Sequence, residues 1–230
     1  SCARFICDFY SNNGYNSWFM PFGYETSINS RLIQRSPLYD VSFCGSVIVR
    51  AQFHNERLRM LSEISASLPL SLWAASFPEN WQPWKKDQLR RIKNGKYQEF
   101  IDVWRLGNIN KGTKSGLTMY QCLLDSKFTL NHHIDVSGAV AGNSRLMEAT
   151  GAGTCLVTDW KPNLSEFFEP DTEVVTFKST AEAIDKIQYL LRNENERKKI
   201  AVAGQNRTMR DHTFHDRMHK LIPVLENLMK

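Results

Sequence analysis

Apolar positions along the chain switch between a period of two and a helical period, and the switches mark its elements. Residues 41–46 form a short apolar run that closes on Gly45, which reads as a buried strand ending in a turn. Residues 54–67 place Leu58, Met60, Leu61 and Ile64 at helical spacing. Residues 68–74 read as a second strand, 115–125 as a helix and 127–131 as a strand. Within the Gly-punctuated stretch 138–153 a helix is expected over 144–150, followed by a strand over 154–159. A single helical turn over 164–168 and a strand over 173–177 come next. Three helices close the chain. The first, over 179–191, has Ser179 or Thr180 as its N-cap and Glu182 in its first turn. The others are 194–210 and an amphipathic 214–229. Residues 76–96, with several Pro, Trp and Lys, read as an irregular insertion, and 97–105 fits a short helix or a strand equally. Residues 1–39 are rich in aromatic, Asn, Ser and Gly residues and weak in periodicity. They read as a lead-in or interdomain segment, and 40–230 as one domain.

Strands alternating with helices give right-handed βαβ units, hence an α/β fold: a Rossmann-like parallel sheet with helices on both faces and a helical C-terminus. Ligands of such sheets bind at the carboxyl ends of the strands. That rule gathers four segments: Gly45-Ser46, Asn131-His132-His133, Gly142 to Glu148, and Thr158-Asp159.

Composition narrows the class. At 230 residues, 42% hydrophobic and 23% charged, the chain can bury a core without staples. No apolar run is long enough for a transmembrane helix. The five cysteines, Cys2, Cys7, Cys44, Cys122 and Cys155, form no CxxC pair, which points to a reducing cytoplasm rather than a disulfide framework. The net charge of +5 is spread over helices where Lys and Arg interleave with Glu and Asp. No basic stripe with interleaved aromatics appears, so nucleic acid is not an expected partner.

The chemistry concentrates in residues 141–153. A Gly segment leads into a helix start, where unpaired N–H groups and the helix dipole suit a phosphate. Asn143 and Ser144 can cap that helix, and Arg145 can add a charge-assisted contact. One turn on, Glu148 can accept from the two hydroxyls of a ribose. Gly151 and Gly153 let the helix end and the chain turn into the next strand. The same residues also serve an ordinary α/β turn followed by a solvated Glu.

A wider pattern covers about residues 18–217. It comprises Asn143-x-Arg145-x-x-Glu148-Ala149-x-Gly151-x-Gly153, a strand ending Thr158-Asp159, and Leu164-x-Glu166-x-Phe168. It continues with His212-Thr213-x-x-x-Arg217, Trp18-x-x-Pro21-x-Gly23, the strand and loop 39–46, and Leu130-Asn131-x-His133. In this order and spacing the chain resembles the C-terminal domain of GT-B-fold glycosyltransferases (group 1 type), and within them the bacterial spore-maturation, CgeB-like group. The resemblance implies a donor-binding half that holds a nucleotide diphosphate sugar, UDP-sugar being favoured, with no further cofactor and no metal. It implies that Glu148 binds the ribose and that Gly142, Asn143, Ser144, Arg145, Gly45 and Ser46 hold the diphosphate. His133 and Asp135 would lie near the sugar or acceptor as candidate catalytic groups, and Thr158 and Asp159 would line the crevice.

Two departures qualify it. Retaining relatives carry a second Glu about seven residues before the ribose Glu, whereas 137–141 hold none, so stereochemistry stays open. GT-B enzymes also have two Rossmann-like halves, and this chain has room for one. The missing N-terminal half would supply the acceptor site, for a protein or a glycan, and often the base. Other readings are a non-catalytic nucleotide-binding or interaction module and a sugar-nucleotide epimerase-like domain. The epimerase would need acid/base carboxylates that have no evident place. His212, His215 and His219 could share one helix face as zinc ligands, but Arg217 and Lys220 beside them oppose a cation. Trp81 and Trp84 could stack on a base or sugar, or serve a core or interface.

Overall fold

The computed structural model describes residues 4–47, 54–75, 77, 86–134 and 138–228. Five strands carry the fold: β1 (Tyr39–Gly45), β2 (Leu70–Ala74), β3 (Ser126–Asn131), β4 (Cys155–Asp159) and β5 (Val175–Phe177). All are parallel, in the order β2-β1-β3-β4-β5. The register sets Ser42 against Thr129 and Asn131 against Thr158. These strands are buried on successive residues because both faces of the sheet are covered.

The helices are α1 (Arg4–Asn12), α2 (Asn55–Ser67), α3 (Lys86–Lys93), α4 (Tyr97–Ile109), α5 (Gly116–Leu124), α6 (Arg145–Ala152), α7 (Thr180–Arg192), α8 (Glu194–Asp211) and α9 (Phe214–Leu228). On one sheet face Val41, Phe43, Leu72, Phe128 and Val157 pack with α2, α4 and α7. On the other, Leu156 joins α6 through Leu146, Met147 and Ala149, and α5 packs beside α6. Each such Leu or Phe contributes on the order of 1.5–3 kcal/mol by leaving water.

Most expected elements stand within a residue or two. The helix start at Ser179 is a reciprocal cap: Ser179 Oγ accepts the Glu182 N–H at 3.2 Å, and a Glu182 carboxylate oxygen accepts the Lys178 N–H at 2.8 Å. Three regions differ from expectation. The lead-in is not extended throughout, since residues 4–12 are helical with aromatic Phe5, Phe9 and Tyr10 exposed. The described part of the expected insertion, 86–96, contains the charged helix α3, closed by Gly95 at φ 72°. Residues 97–105, which fitted helix or strand, belong to the 13-residue helix α4, whose Val103 and Leu106 are fully buried. Trp81, Trp84 and Asp135 lie outside the described residues.

Residues 18–32 lie against the domain. Tyr24 is 1% exposed and packs on α6, and its backbone exchanges hydrogen bonds with the His212 carbonyl and the Phe214 amide.

Candidate functional site

In the strand order 2-1-3-4-5 the chain leaves β1 in one direction to reach β2 and in the other from β3 onward. The crevice between the carboxyl ends of β1 and β3 is therefore the topological switch point. The sequence-predicted segments 45–46, 131–133, 142–148 and 158–159 all surround it.

Its two lips are tied together by Arg57, which is 7% exposed. The guanidinium donates to the Ser46 carbonyl at 2.9 Å, beyond β1, and to the His132 carbonyl, beyond β3, at 3.1 Å from Nε. His54 Nδ1 lies 3.2 Å from the same Ser46 carbonyl. A planar, permanently charged fork suits two carbonyls held in fixed relation. Sequence reasoning passed over Arg57. The signal was there: it sits four and seven residues before Leu61 and Ile64, on the apolar stripe of α2.

The Gly loop before α6 is held from several sides. The Gly142 N–H donates to His133 Nε2 at 3.3 Å, which places the ring proton on Nδ1, 2.8 Å from Asp159 Oδ1. That oxygen also accepts the His133 N–H at 3.0 Å. Asn163 clasps Ala141, accepting its N–H at 2.7 Å and donating to its carbonyl at 3.0 Å. Lys161 Nζ reaches the Gly138 carbonyl at 2.7 Å. A chain of side chains runs behind the loop: Asn143 donates to Asn131 at 2.7 Å, and Asn131 donates to Thr158 at 3.0 Å. Burial alone would raise the Asp159 carboxyl, but the hydrogen bonds and nearby histidines outweigh it and hold the group well below the usual carboxylate range. Burial pushes His132 below the ordinary histidine range.

Arg145 and Glu148 form the opposite wall. Arg145 donates to the Cys44 carbonyl at 2.9 Å and pairs with Glu148 at 3.0 Å, with both side chains less than one-fifth exposed. The helix α6 thereby reaches across to the end of β1. Glu148 lies in its first turn, Gly45 ends β1 and Ser46 follows it, its carbonyl taken by Arg57.

Three expectations change in detail. Ser144 occupies the N-cap position of α6 but its side chain does not cap, because its backbone is already helical, and Asn143 turns to Asn131 instead. The Leu146, Met147 and Glu148 amides are taken by the Asn143 and Ser144 carbonyls, so the amides an anion can use are those before Leu146. His133, read as a catalytic candidate, has both ring nitrogens engaged and is 2% exposed, so its side chain holds the loop.

The three histidines near the C-terminus do not share a face. His212 precedes α9 and is buried, donating to the Phe167 carbonyl at 2.8 Å and accepting from Arg217 at 2.8 Å. His215 and His219 pair with each other on the exposed side.

With the crevice described, the family match decides the class. The sequence profile of the glycosyl transferase-like family covers residues 55–223. The chain belongs to that family. No curated protein matches it in sequence. Its fold is that of GT-B glycosyltransferases. Sucrose-phosphate synthase from Thermosynechococcus elongatus superposes at a TM-score of 0.63 and 14% identity, over 96% of this chain and 56% of that one. HepE from Anabaena, solved in complex with UDP, gives 0.62 and 11%, over 91% and 57%. A glycosyltransferase from Rickettsia africae gives 0.63 and 10%, over 93% and 57%. The family member described here thus spans just over half the length of these structures. Among its described residues, no helix is long and apolar enough to cross a membrane.

Proposed function

We propose that this chain is the C-terminal, donor-binding half of a glycosyltransferase that moves a hexose-like sugar from a nucleoside diphosphate sugar to an acceptor hydroxyl in the cytoplasm. A second Rossmann-like half completes the enzyme. The observation that carries the reading is the switch-point crevice, with its loop fixed in advance by His133, Asn163 and Lys161 and with Arg145 and Glu148 on one wall. That UDP is bound in the HepE structure of the same fold supports a uridine nucleotide as donor.

In this reading the Glu148 carboxylate takes the two ribose hydroxyls. The amides of Asn143 to Arg145 and of Gly45-Ser46 receive the diphosphate at the positive end of α6. Thr158 and Asp159 back the loop from β4. The acceptor oxygen forms its bond to the anomeric carbon as the bond to the diphosphate oxygen breaks and the nucleoside diphosphate leaves with the electron pair. Fixed amides and Arg145 stabilise that departing charge, which a preorganised site does without reorganisation, so a metal is not required. The acceptor proton goes to a base on the other half or to Asp135. His133 acts as a positioning residue for Gly142.

Calorimetric titration with UDP, GDP, dTDP and ADP tests the proposal. One nucleotide should bind saturably, and Glu148→Ala should weaken it at least tenfold, about the worth of a charge-assisted hydrogen-bond pair. Equal binding of that nucleotide by Glu148→Ala would remove the ribose assignment, and no binding by a folded chain would remove the donor site.

A further inference from the structure

Cys44 and Cys122 are 78 residues apart in the chain, yet their Sγ atoms meet at 3.5 Å. Cys44 is the last residue but one of β1, and Cys122 lies in the last turn of α5. Both are buried, with Trp73 and Met119 packed against them. Two sulfurs at this distance need close by only about 1.5 Å to reach a disulfide bond.

The surroundings favour a thiolate on one of the two. When Cys44 ionises, the Cys122 thiol donates to its sulfur, and the charges of Arg145 and Lys114 add to this. The Cys44 thiol is therefore held below the usual cysteine range, although burial opposes it. The same contact and burial push the Cys122 thiol up. A thiolate beside a protonated thiol is the arrangement in which one sulfur attacks an oxidant and the other resolves the product. Cys155 has no such help: burial pushes its thiol up to about 12.

The pair also lies behind one wall of the donor crevice. Arg145 donates to the Cys44 carbonyl at 2.9 Å and contacts the Met119 sulfur, on α5, at 3.3 Å. It thus rests on both elements that carry the two cysteines. The end of α5 is fixed, since the Cys122 carbonyl accepts the Ser126 hydroxyl at 2.6 Å and Asp125 pairs with Arg35. Drawing the sulfurs together therefore moves the end of β1, and with it Gly45-Ser46 and the carbonyl that anchors Arg145.

We propose that Cys44 and Cys122 are an oxidation site that hydrogen peroxide converts to a disulfide and, resting on the donor reading above, that this disulfide weakens nucleotide binding. The Cys44 thiolate attacks one peroxide oxygen. The O–O bond breaks, hydroxide leaves, and Cys44 becomes a sulfenic acid. The Cys122 sulfur then attacks the Cys44 sulfur, the S–O bond breaks, and the departing hydroxide takes the Cys122 proton as water. With the proton that Cys44 gave up, the first hydroxide also becomes water, so two thiols are oxidised as one peroxide is reduced to two waters. Burial of both sulfurs suits a water-sized oxidant. In a reducing compartment the pair rests as a dithiol, and a small thiol reductant restores it.

The chain, with Cys2 replaced by Ser, is treated with hydrogen peroxide, alkylated after denaturation and mapped by mass spectrometry. UDP affinity is measured by calorimetry before peroxide, after it, and after dithiothreitol. The peptides of Cys44 and Cys122 should be cross-linked and lighter by two hydrogens, while Cys155 is alkylated. UDP affinity should fall about threefold or more and return with dithiothreitol. Cys122→Ser should bind UDP as the parent does before peroxide, which shows that it is folded, and then accumulate a Cys44 sulfenic acid that dimedone traps. A folded parent chain whose Cys44 and Cys122 both stay open to alkylation overturns the site, as does a disulfide from either one to Cys7 or Cys155. A Cys44–Cys122 disulfide with unchanged UDP affinity overturns its effect on the donor site. If the disulfide forms but the reduced chain binds no nucleotide, the oxidation site stands and its effect falls with the donor reading.

Discussion

His133 and Asp159 meet at 2.8 Å across the carboxyl ends of β3 and β4, and the far nitrogen of the same ring accepts the Gly142 amide. The strand register makes the meeting possible: β3 pairs with β4 through Asn131 and Thr158, so the next residues on each strand leave the sheet side by side. Asp159 thus acts on the Gly142 loop through the His133 ring.

The carboxyl of Asp159 is depressed in the folded chain, so its contribution is present above the unfolded-state value of about 4 and is lost as pH falls through the lower folded value. Asp159→Asn should cost roughly 1.5–3 kcal/mol at pH 7, the range for hydrogen bonds to a charged group. It should also flatten the decline of stability below about pH 4. Urea denaturation of both proteins across pH 3–7 measures this. Parallel curves would show that the carboxylate charge is not what holds His133.

Arg57 makes a different demand. Replacing it with Met keeps the stem and removes the fork, leaving the Ser46 and His132 carbonyls without their shared donor. The expected loss is about 2–4 kcal/mol. Arg57→Lys should recover part of the stability and little of the nucleotide affinity, because a single ammonium does not reproduce a fork across two lips. If Arg57→Lys binds nucleotide as wild type does, the spacing of the two lips does not depend on the guanidinium.

The sheet was readable because its strands are short apolar or alternating runs bounded by Gly and polar residues, and the switch-point rule then located the crevice without side-chain detail. The Gly loop and the helix start that puts Glu148 in the first turn of α6 were readable from spacing, whereas a ribose role for Glu148 came only with the family resemblance. The fate of His133 was not, since its partners come from β4 and from nine residues downstream, and only the parallel register unites them. Ser144 misled for a local reason. Capping preference assumes an extended backbone, and here the helical φ and ψ begin one residue early. Helix α1 was missed because the Ser, Asn and Gly residues at 11–14 read as turn formers, although the stretch before them is amphipathic, and helix α4 because nine residues of apolar and polar mixture fit either element.

Gly151 marks a contact that a loop reading of the lead-in does not anticipate. A Cβ there would stand 2.5 Å from carbons of the Tyr24 ring, which is fully enclosed beneath α6. Gly151→Ala should therefore destabilise by about 1–3 kcal/mol despite the better helix propensity of Ala. Adding Tyr24→Leu should restore part of the loss, and a double-mutant cycle measures the coupling. Additive effects would mean that α6 shifts as a body and the ring is not the obstacle.

Arg217 fastens the lead-in to the C-terminal helix. It is 4% exposed and donates to the carbonyls of Pro21, Phe22 and Asp211 and to His212 Nδ1, at 2.8–3.3 Å. Burial lowers its pKa, although nearby Asp216 and Asp211 favour the charge. Arg217→Met leaves three carbonyls and one ring nitrogen without a donor, so the chain should lose about 2–4 kcal/mol. The loss should be local first, because the hydrogen bonds between residues 21–24 and the α8–α9 region run through His212, Phe214 and this guanidinium. Limited proteolysis should cut Arg217→Met within residues 13–23 well before wild type, while hydrogen exchange in β1, β3 and β4 stays slow. Simultaneous loss of protection in the sheet and the lead-in would show instead that the two unfold as one unit.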